Sequence, residues 1–311
     1  MPARPVIMDC DPGVDDAVAL LLAFAVPQYL ELLGVTTVAG NVGAELTARN
    51  ARLIRELAGR AEVPVFRGRD RPLRRPPVEA DHFHGPSGLG PLAVFEPAAP
   101  AESVNAVEFL VATLSRRDDV TLLVTGPLTN VACALQQAPQ IASRVAEIIL
   151  MGGARREGGN ITASAEYNIY ADPDAAAQVF ASGCPIVAIG LDATHQVRAT
   201  PERVSRLRAL RNPRATAVAQ LLQFSNELAG NAAFAAAAPL HDPCTVAYLL
   251  NPGLFKTVEC EIQVETVSPL TLGHTAVEFR LAPDHPGRTR WATEIDAAGI
   301  FELLCAALAA S

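Results

Sequence analysis

A chain of 311 residues, half of them hydrophobic, can bury a sizeable core in one large domain or two smaller ones. Its formal charge of −8, with no basic run beyond an Arg/Pro-rich patch at 67–77, argues against nucleic acid or an anionic membrane as main partner and favours a small ligand. No signal pattern opens the chain, the apolar stretches are too short and interrupted to cross a bilayer, and six cysteines (10, 133, 184, 244, 260 and 305) lie mostly inside apolar segments without zinc-like spacing; a cytoplasmic protein with free thiols is expected.

The first apolar run, Val6-Ile7-Met8, reads as a buried strand, Pro12-Gly13 as a turn, and residues 17–24 as a helix packed on the sheet. Around that turn Asp9, Asp11, Asp15 and Asp16 fall within eight residues, at the carboxyl end of the strand, where ligands bind in open α/β sheets. Carboxylates at that density sit in water, share protons, or surround a hard cation that takes oxygen ligands. Further strands are predicted at 32–39, 63–66, 120–124, 148–151 and 186–189, with helical patterns between most of them. This alternation predicts an open, mainly parallel sheet flanked by helices, with a Rossmann-like core. The patch at 67–77 reads as part of a long surface loop rather than a boundary, so one domain spanning 1–311 is expected. After about residue 200 the pattern changes. A helix starts at Thr200, a second runs from 215 to about 238, and a third opens at Asp242-Pro243, where Asp caps and Pro suits the first turn. Residues 257–266 and 275–281 alternate like a small antiparallel pair, and 297–309 reads as a closing helix.

Several predicted strands end in polar residues with no packing reason to be there: Gly40-Asn41, the run from Thr125 to Asn130, Met151-Gly152-Gly153 followed by Gly158-Gly159-Asn160, and further on Glu166-Tyr167-Asn168 and His241-Asp242. In a parallel sheet these ends share one face. The resulting cleft, rich in Asp, Asn and Glu and nearly free of Lys and Arg, suits a neutral polyhydroxylated ligand around a metal and suits a phosphate badly.

Residues 6–17, 36–41, 125–130, 151–153 and 166–168, with His241-Asp242-Pro243-Cys244, together resemble the inosine-uridine-preferring nucleoside hydrolases over nearly the whole chain; the Asp-x-Asp-Pro-Gly-x-Asp-Asp block is the most specific part. The resemblance implies a calcium ion at the floor of the cleft, a ribose held on it by its hydroxyls, and a water that attacks the anomeric carbon directly, without a covalent intermediate. Position by position, it implies Asp11, Asp16, Asp242 and the carbonyl of Thr125 as calcium ligands, with Asp11 also the general base. It places Asp15, Asn41, Asn160, Glu166 and Asn168, joined by the carbonyl of Met151, around the ribose, where an anionic cradle favours an oxocarbenium-like transition state. Asp9 would orient the others, His84 would lie over the substrate, and His241 is the leading candidate for the acid that assists the departing base. A homodimer or homotetramer is implied as well. The sequence departs from the pattern in the helix before His241. Where purine-tolerant members supply tyrosines, Ser225 and Ala229 stand here, with Phe234 the aromatic residue remaining nearby, so the base preference cannot be copied over.

Each residue also has an ordinary reading. Asp15, Asp16 and Asp242 can cap helices, Asn41 and Asn160 can be turn residues beside glycine, His82 and His84 can be loop residues, and His195 is expected to be structural. Asp172-Pro173-Asp174 is read as a helix start only. Two other functions compete. A haloacid-dehalogenase-like phosphatase would use Asp9-x-Asp11, but the Thr usual two residues on is missing and the cleft has few cations. A nucleoside-binding protein without catalysis would keep the ribose cradle and an altered base pocket. The loop at 67–92 is a candidate lid that closes on substrate.

Overall fold

Val6, Ile7 and Met8 are fully buried, as a strand covered by helices on both faces requires. The structure, a computed structural model, describes residues 2–78, 80–230, 237–281 and 288–310. Among them, β1 (Arg4–Cys10), β2 (Leu30–Thr37), β3 (Val65–Arg67), β4 (Thr121–Val124), β5 (Glu147–Met151), β6 (Ile186–Ile189), β7 (Phe255–Val264), β8 (Thr275–Glu278) and β9 (Thr289–Ile295) form one sheet. Its order is β3-β2-β1-β4-β5-β6-β9-β7-β8. Pairing is parallel from β3 through to β9, and β7 runs antiparallel to both β9 and β8.

The helices are α1 (Val14–Ala25), α2 (Ala44–Leu57), α3 (Asp81–His84), α4 (Ala106–Leu114), α5 (Thr129–Gln137), α6 (Tyr167–Ala171), α7 (Pro173–Phe180), α8 (Leu191–Thr194), α9 (Pro201–Ala209), α10 (Pro213–Gly230), α11 (Pro243–Leu250) and α12 (Ala297–Ala309). Every residue of α1 except Asp15 is buried. A helix apolar all round belongs in the interior, and α1 packs against α2, α10, α11 and α12. One apolar cluster fills this side of the sheet around Leu20, Phe24, Leu221 and Phe301. A second fills the opposite face, where Leu110, Leu114 and Val131 pack on Leu122 and Ile148.

The strand order places the site. From β1 the chain steps outward through β2 to β3, then returns to lay β4 on the other side of β1. The order reverses between β1 and β4, and ligands of open α/β sheets bind in the crevice outside the carboxyl ends at such a point. The aspartate-rich turn after β1 and the Thr125 turn after β4 are those two ends.

The C-terminal third differs from expectation in one respect. The antiparallel pair expected at 257–266 and 275–281 forms, but β9 was not predicted, and it inserts between β6 and β7, so the pair continues the main sheet instead of standing apart. The cause lies in β9 itself: Trp291 is buried by β6 and β7 beside it, while Glu294 is exposed and ion-paired to Lys256. Helix α10 is described as far as Gly230, and Phe234 lies outside the described residues. All six cysteines are free. Among the described residues no helix is long and apolar enough to cross a membrane.

Candidate active site

The turn after β1 brings its aspartates into a buried layer with the ends of β2 and β4. Asp9, on the strand itself, accepts hydrogen bonds at Oδ1 from Thr36 Oγ1 (2.6 Å) and Asn130 Nδ2 (2.8 Å), while its Oδ2 is buried without a partner. Burial pushes its carboxyl up to about 7, against the two hydrogen bonds. Asp11 is held at Oδ2 by the backbone N–H of Asn41 (2.7 Å), and its Oδ1 is likewise buried without a partner. Two glycines make room for it. A Cβ on Gly40 would stand 2.0 Å from Asp11 Oδ2, and one on Gly126 would stand 2.6 Å from Oδ1.

Asp16 answers the capping question by doing two jobs. Its Oδ2 accepts from the N–H of Gly13 (3.1 Å), which closes the first turn of α1, and from Asn41 Nδ2 (2.9 Å); its Oδ1 accepts from Thr125 Oγ1 (2.8 Å). Burial, with Asp15 close by, raises it to about 6. Asp242 stands at the N-cap position of α11 yet makes no side-chain cap bond. Its carboxylate joins the others instead: burial raises it far above the usual range, and Asp15, Asp16, Asp11 and Glu166 add to the shift. Ligand oxygens of Asp15, Asp16 and Asp242 lie within 4.8 Å of one another.

That spacing tests the fit to a metal. Oxygen ligands about 2.3–2.6 Å from a calcium ion stand no more than about 5 Å apart. The donors are all oxygen, the charges acting on Asp11 and Asp242 come from other carboxylates, and Asp11 and Asp9 each keep a buried oxygen without a partner. The set fits a hard divalent cation. The mutual distances group Asp15 with Asp16 and Asp242, and Asp11 is not part of that triplet.

The far side of the crevice is built on α6. Glu166 caps that helix, accepting from the N–H groups of Asn168 (2.9 Å) and Ile169 (3.3 Å), and it also accepts from that of Gly153 (3.0 Å); burial raises it to about 7. Asn168 turns Nδ2 onto the carbonyls of Thr125 (2.8 Å) and Met151 (3.1 Å), which ties the ends of β4 and β5 together. Asn160 is exposed at the rim, with Oδ1 accepting from the N–H of Tyr167 (2.9 Å).

Two histidines close the remaining side. Nδ1 of His84 accepts from the N–H of Val14 (3.0 Å) at the start of α1, so its proton in the neutral ring is on Nε2. His241 meets Thr194 Oγ1 through Nδ1 (2.8 Å), with the His195 ring 5.8 Å away and tilted by 58°. Burial pulls His241 down to about 3, helped by His195, Arg198 and His84. It is therefore a neutral ring, able to donate N–H but not an imidazolium proton. His195 is tied to Glu157 (3.0 Å). On α10, Ser225 Oγ is turned back to the carbonyl of Leu221 (3.2 Å), Ala229 offers no polar group, and Phe224 packs against Gly90.

The candidate lid is fastened along its length. Arg69 N–H donates to Asn130 Oδ1, Leu73 N–H to Asp172 Oδ2, and Ala80 N–H to the carbonyl of Asn41, while Tyr167 Oη and Asn50 Nδ2 donate to the carbonyls of Val78 and Ser87. Asp172 starts α7 as expected, but it also holds Leu73 and Thr129. The sequence reading missed Thr36, Asn130, Asn50 and Thr194 as supports. Asn130 and Thr36 carried a signal, as the last residue of a polar strand end and the first of a family segment.

Residues 6–302 match a family model described as inosine-uridine preferring nucleoside hydrolase. The chain is 44% identical over 309 residues to a pyrimidine-specific ribonucleoside hydrolase RihA of Shewanella sp. (strain ANA-3), covering 99% of this chain and 96% of that one. Its fold is similar to a purine-preferring ribonucleoside hydrolase from Gardnerella vaginalis, with a TM-score of 0.92, 32% identity and 98% of each chain covered. A plant nucleoside hydrolase is similar at a TM-score of 0.93 and 30% identity, over 100% of both chains.

Proposed function

Since the chain belongs to the inosine-uridine preferring nucleoside hydrolase family, we propose that this ribonucleoside hydrolase acts on pyrimidine ribonucleosides and depends on calcium. The observation that carries the reading is Asp11 at the switch point, one oxygen pinned by Asn41 and the other buried without a partner. That free oxygen is the group that accepts a proton from the attacking water. The water oxygen bonds to C1′ as the C1′–N bond breaks, and the electron pair leaves with the base. The base takes up a proton from solvent, which balances the one that Asp11 accepts from water and releases to solvent after the step, and the products are ribose and free base.

Asp11, Asp16, Asp242 and the Thr125 carbonyl would hold the ion, and Asp15, near Asp16 and Asp242, would border it from the ribose side. A carbonyl oxygen has two lone pairs, so the bond from Asn168 leaves Thr125 able to serve. A bound cation supplies the positive charge that the carboxylates lack and makes water easier to deprotonate. Asp15, Asn41, Asn160, Glu166 and Asn168, with the Met151 carbonyl, hold the ribose and present negative charge to the oxocarbenium-like transition state. His241, neutral, donates a hydrogen bond to the departing base, and His84 borders the substrate from the loop side.

The pyrimidine preference rests on the RihA relatives, named pyrimidine-specific at 43–44% identity, and on α10. Ser225 and Ala229 supply neither a stacking face nor a free donor for a purine. The binder reading is not favoured, because Asp11 and His241 are both retained and the relatives are named as hydrolases. The test is release of reducing sugar from uridine, cytidine, inosine and adenosine with calcium, after chelation, and by Asp11→Ala. Cleavage of uridine and cytidine that stops on chelation and in the variant supports the proposal; full activity without calcium, or faster cleavage of inosine, overturns the corresponding part.

A further inference from the structure

We propose that Thr194 is a positioning residue for His241: its hydroxyl fixes the imidazole so that Nε2, rather than Nδ1, presents the N–H to the departing base. The inference rests on the reading of His241 as the group that assists that base.

Thr194 closes α8, a single turn that follows β6 directly. The turn is held rigidly. Thr194 N–H bonds to the carbonyl of Gly190, and a Cβ at Gly190 would stand 2.3 Å from the Trp291 ring and 2.5 Å from the Gly153 carbonyl, so the backbone at this corner has no slack. Thr194 itself is fully buried. A buried threonine on a helix ordinarily turns its hydroxyl back to a carbonyl one turn earlier. Here the hydroxyl reaches instead to Nδ1 of His241 across 47 residues of chain, at 2.8 Å. Among the described residues Nδ1 of His241 is the one acceptor within reach of the buried Thr194 hydroxyl proton; the hydroxyl therefore donates, Nδ1 is unprotonated, and a neutral imidazole then carries its single proton on Nε2. The ring plane is set from a second direction by His195, 5.8 Å away and itself tied to Glu157. One side chain therefore selects the tautomer and its neighbour selects the tilt.

A merely structural role predicts loss on every substrate, whereas tautomer selection predicts loss only where the leaving group needs help. The experiment compares uridine with 4-nitrophenyl β-D-ribofuranoside, whose nitrophenolate departs without a proton. Thr194→Val should lower kcat on uridine about tenfold with little change in KM, and leave the nitrophenyl riboside within about twofold. Thr194→Ser, which keeps the hydroxyl, should restore uridine cleavage. Equal losses on both substrates, or no loss on uridine in a Thr194→Val protein that melts like the parent, would overturn the assignment. His241→Ala separates the two levels: equal loss on both substrates sinks the reading of His241 itself, while selective loss beside a silent Thr194→Val sinks only the positioning role.

Discussion

On the floor of the crevice the supports interlock: Asn41 reaches both Asp11 and Asp16, Thr36 and Asn130 both hold Asp9, and Asp16 is held by Gly13, Asn41 and Thr125 together. On the side formed by α8, α10 and His241, the side-chain hydrogen bonds that Thr194, His195 and Ser225 make among the described residues are single. Thr194 has His241, His195 has Glu157, and Ser225 is folded back on its own helix. The sugar-facing floor is thus over-determined, and the base-facing side is sparsely held. A reaction common to all ribosides asks for the first arrangement, and a preference among bases can be rewritten in the second without disturbing it.

The comparison breaks if the floor tolerates change. Asp11→Ala is expected to lower kcat on uridine by about 10²–10⁴-fold, the range of a lost general base; steady-state rates within tenfold of the parent would remove Asp11 from the chemistry. Next in size is the response to removal of the proposed calcium, read by thermal melting. Without a cation, Asp9 and Glu166 are raised to about 7 and Asp16 to about 6, and Asp11, Asp15 and Asp242 are raised as well. An unfolded carboxyl titrates near about 4. The folded state therefore binds more protons between those values, and stability present below about pH 4 is lost as pH rises through 6 to 7. His241 acts in the opposite sense, since its folded value near 3 makes its contribution present above about pH 6.5 and lost on acidification. Six carboxyls outweigh one imidazole, so chelated protein should melt higher at pH 5 than at pH 8, and calcium should raise the melt most at pH 8. Melts insensitive to calcium at pH 8 would deny the floor its cation.

The sparse side yields the smallest effect and sharpens the contrast. Ser225→Tyr should restore a stacking face worth about 0.5–1.5 kcal/mol, a gain of roughly two- to tenfold in kcat/KM for inosine relative to uridine. A variant with an unchanged inosine-to-uridine ratio would show that position 225 does not face the base.

How much could be read in advance follows the same division. The floor was legible because its chemistry is local: four aspartates within eight residues, on a turn whose place at a strand end follows from three apolar residues and Pro12-Gly13. The parallel sheet was legible from alternation. β9 was not, because Trp291 owes its burial to strands that flank it in space, and its neighbours Arg290 and Glu294 make no clean alternation. Thr194 and Asn50 act through contacts 47 and 38 residues away in the chain; Thr194 does stand in a polar stretch after β6, but nothing in that stretch names the residue it meets. Asp172 was read as a cap, which it is, but its hold on Leu73 depends on how a long loop crosses the surface.

The glycines beside Asp11 carry a consequence for anyone wishing to redesign this protein. Because a methyl group at either position 40 or position 126 would collide with the carboxylate, the immediate surroundings of the proposed base are closed to stepwise variation: the smallest possible change, glycine to alanine, already displaces the group it was meant to tune. Directed evolution libraries spread over these turns would return mostly inactive clones, and a search for altered pH dependence or altered sugar tolerance has to enter through residues one layer further out, such as Thr36 and Asn130, whose side chains can shrink without touching Asp11.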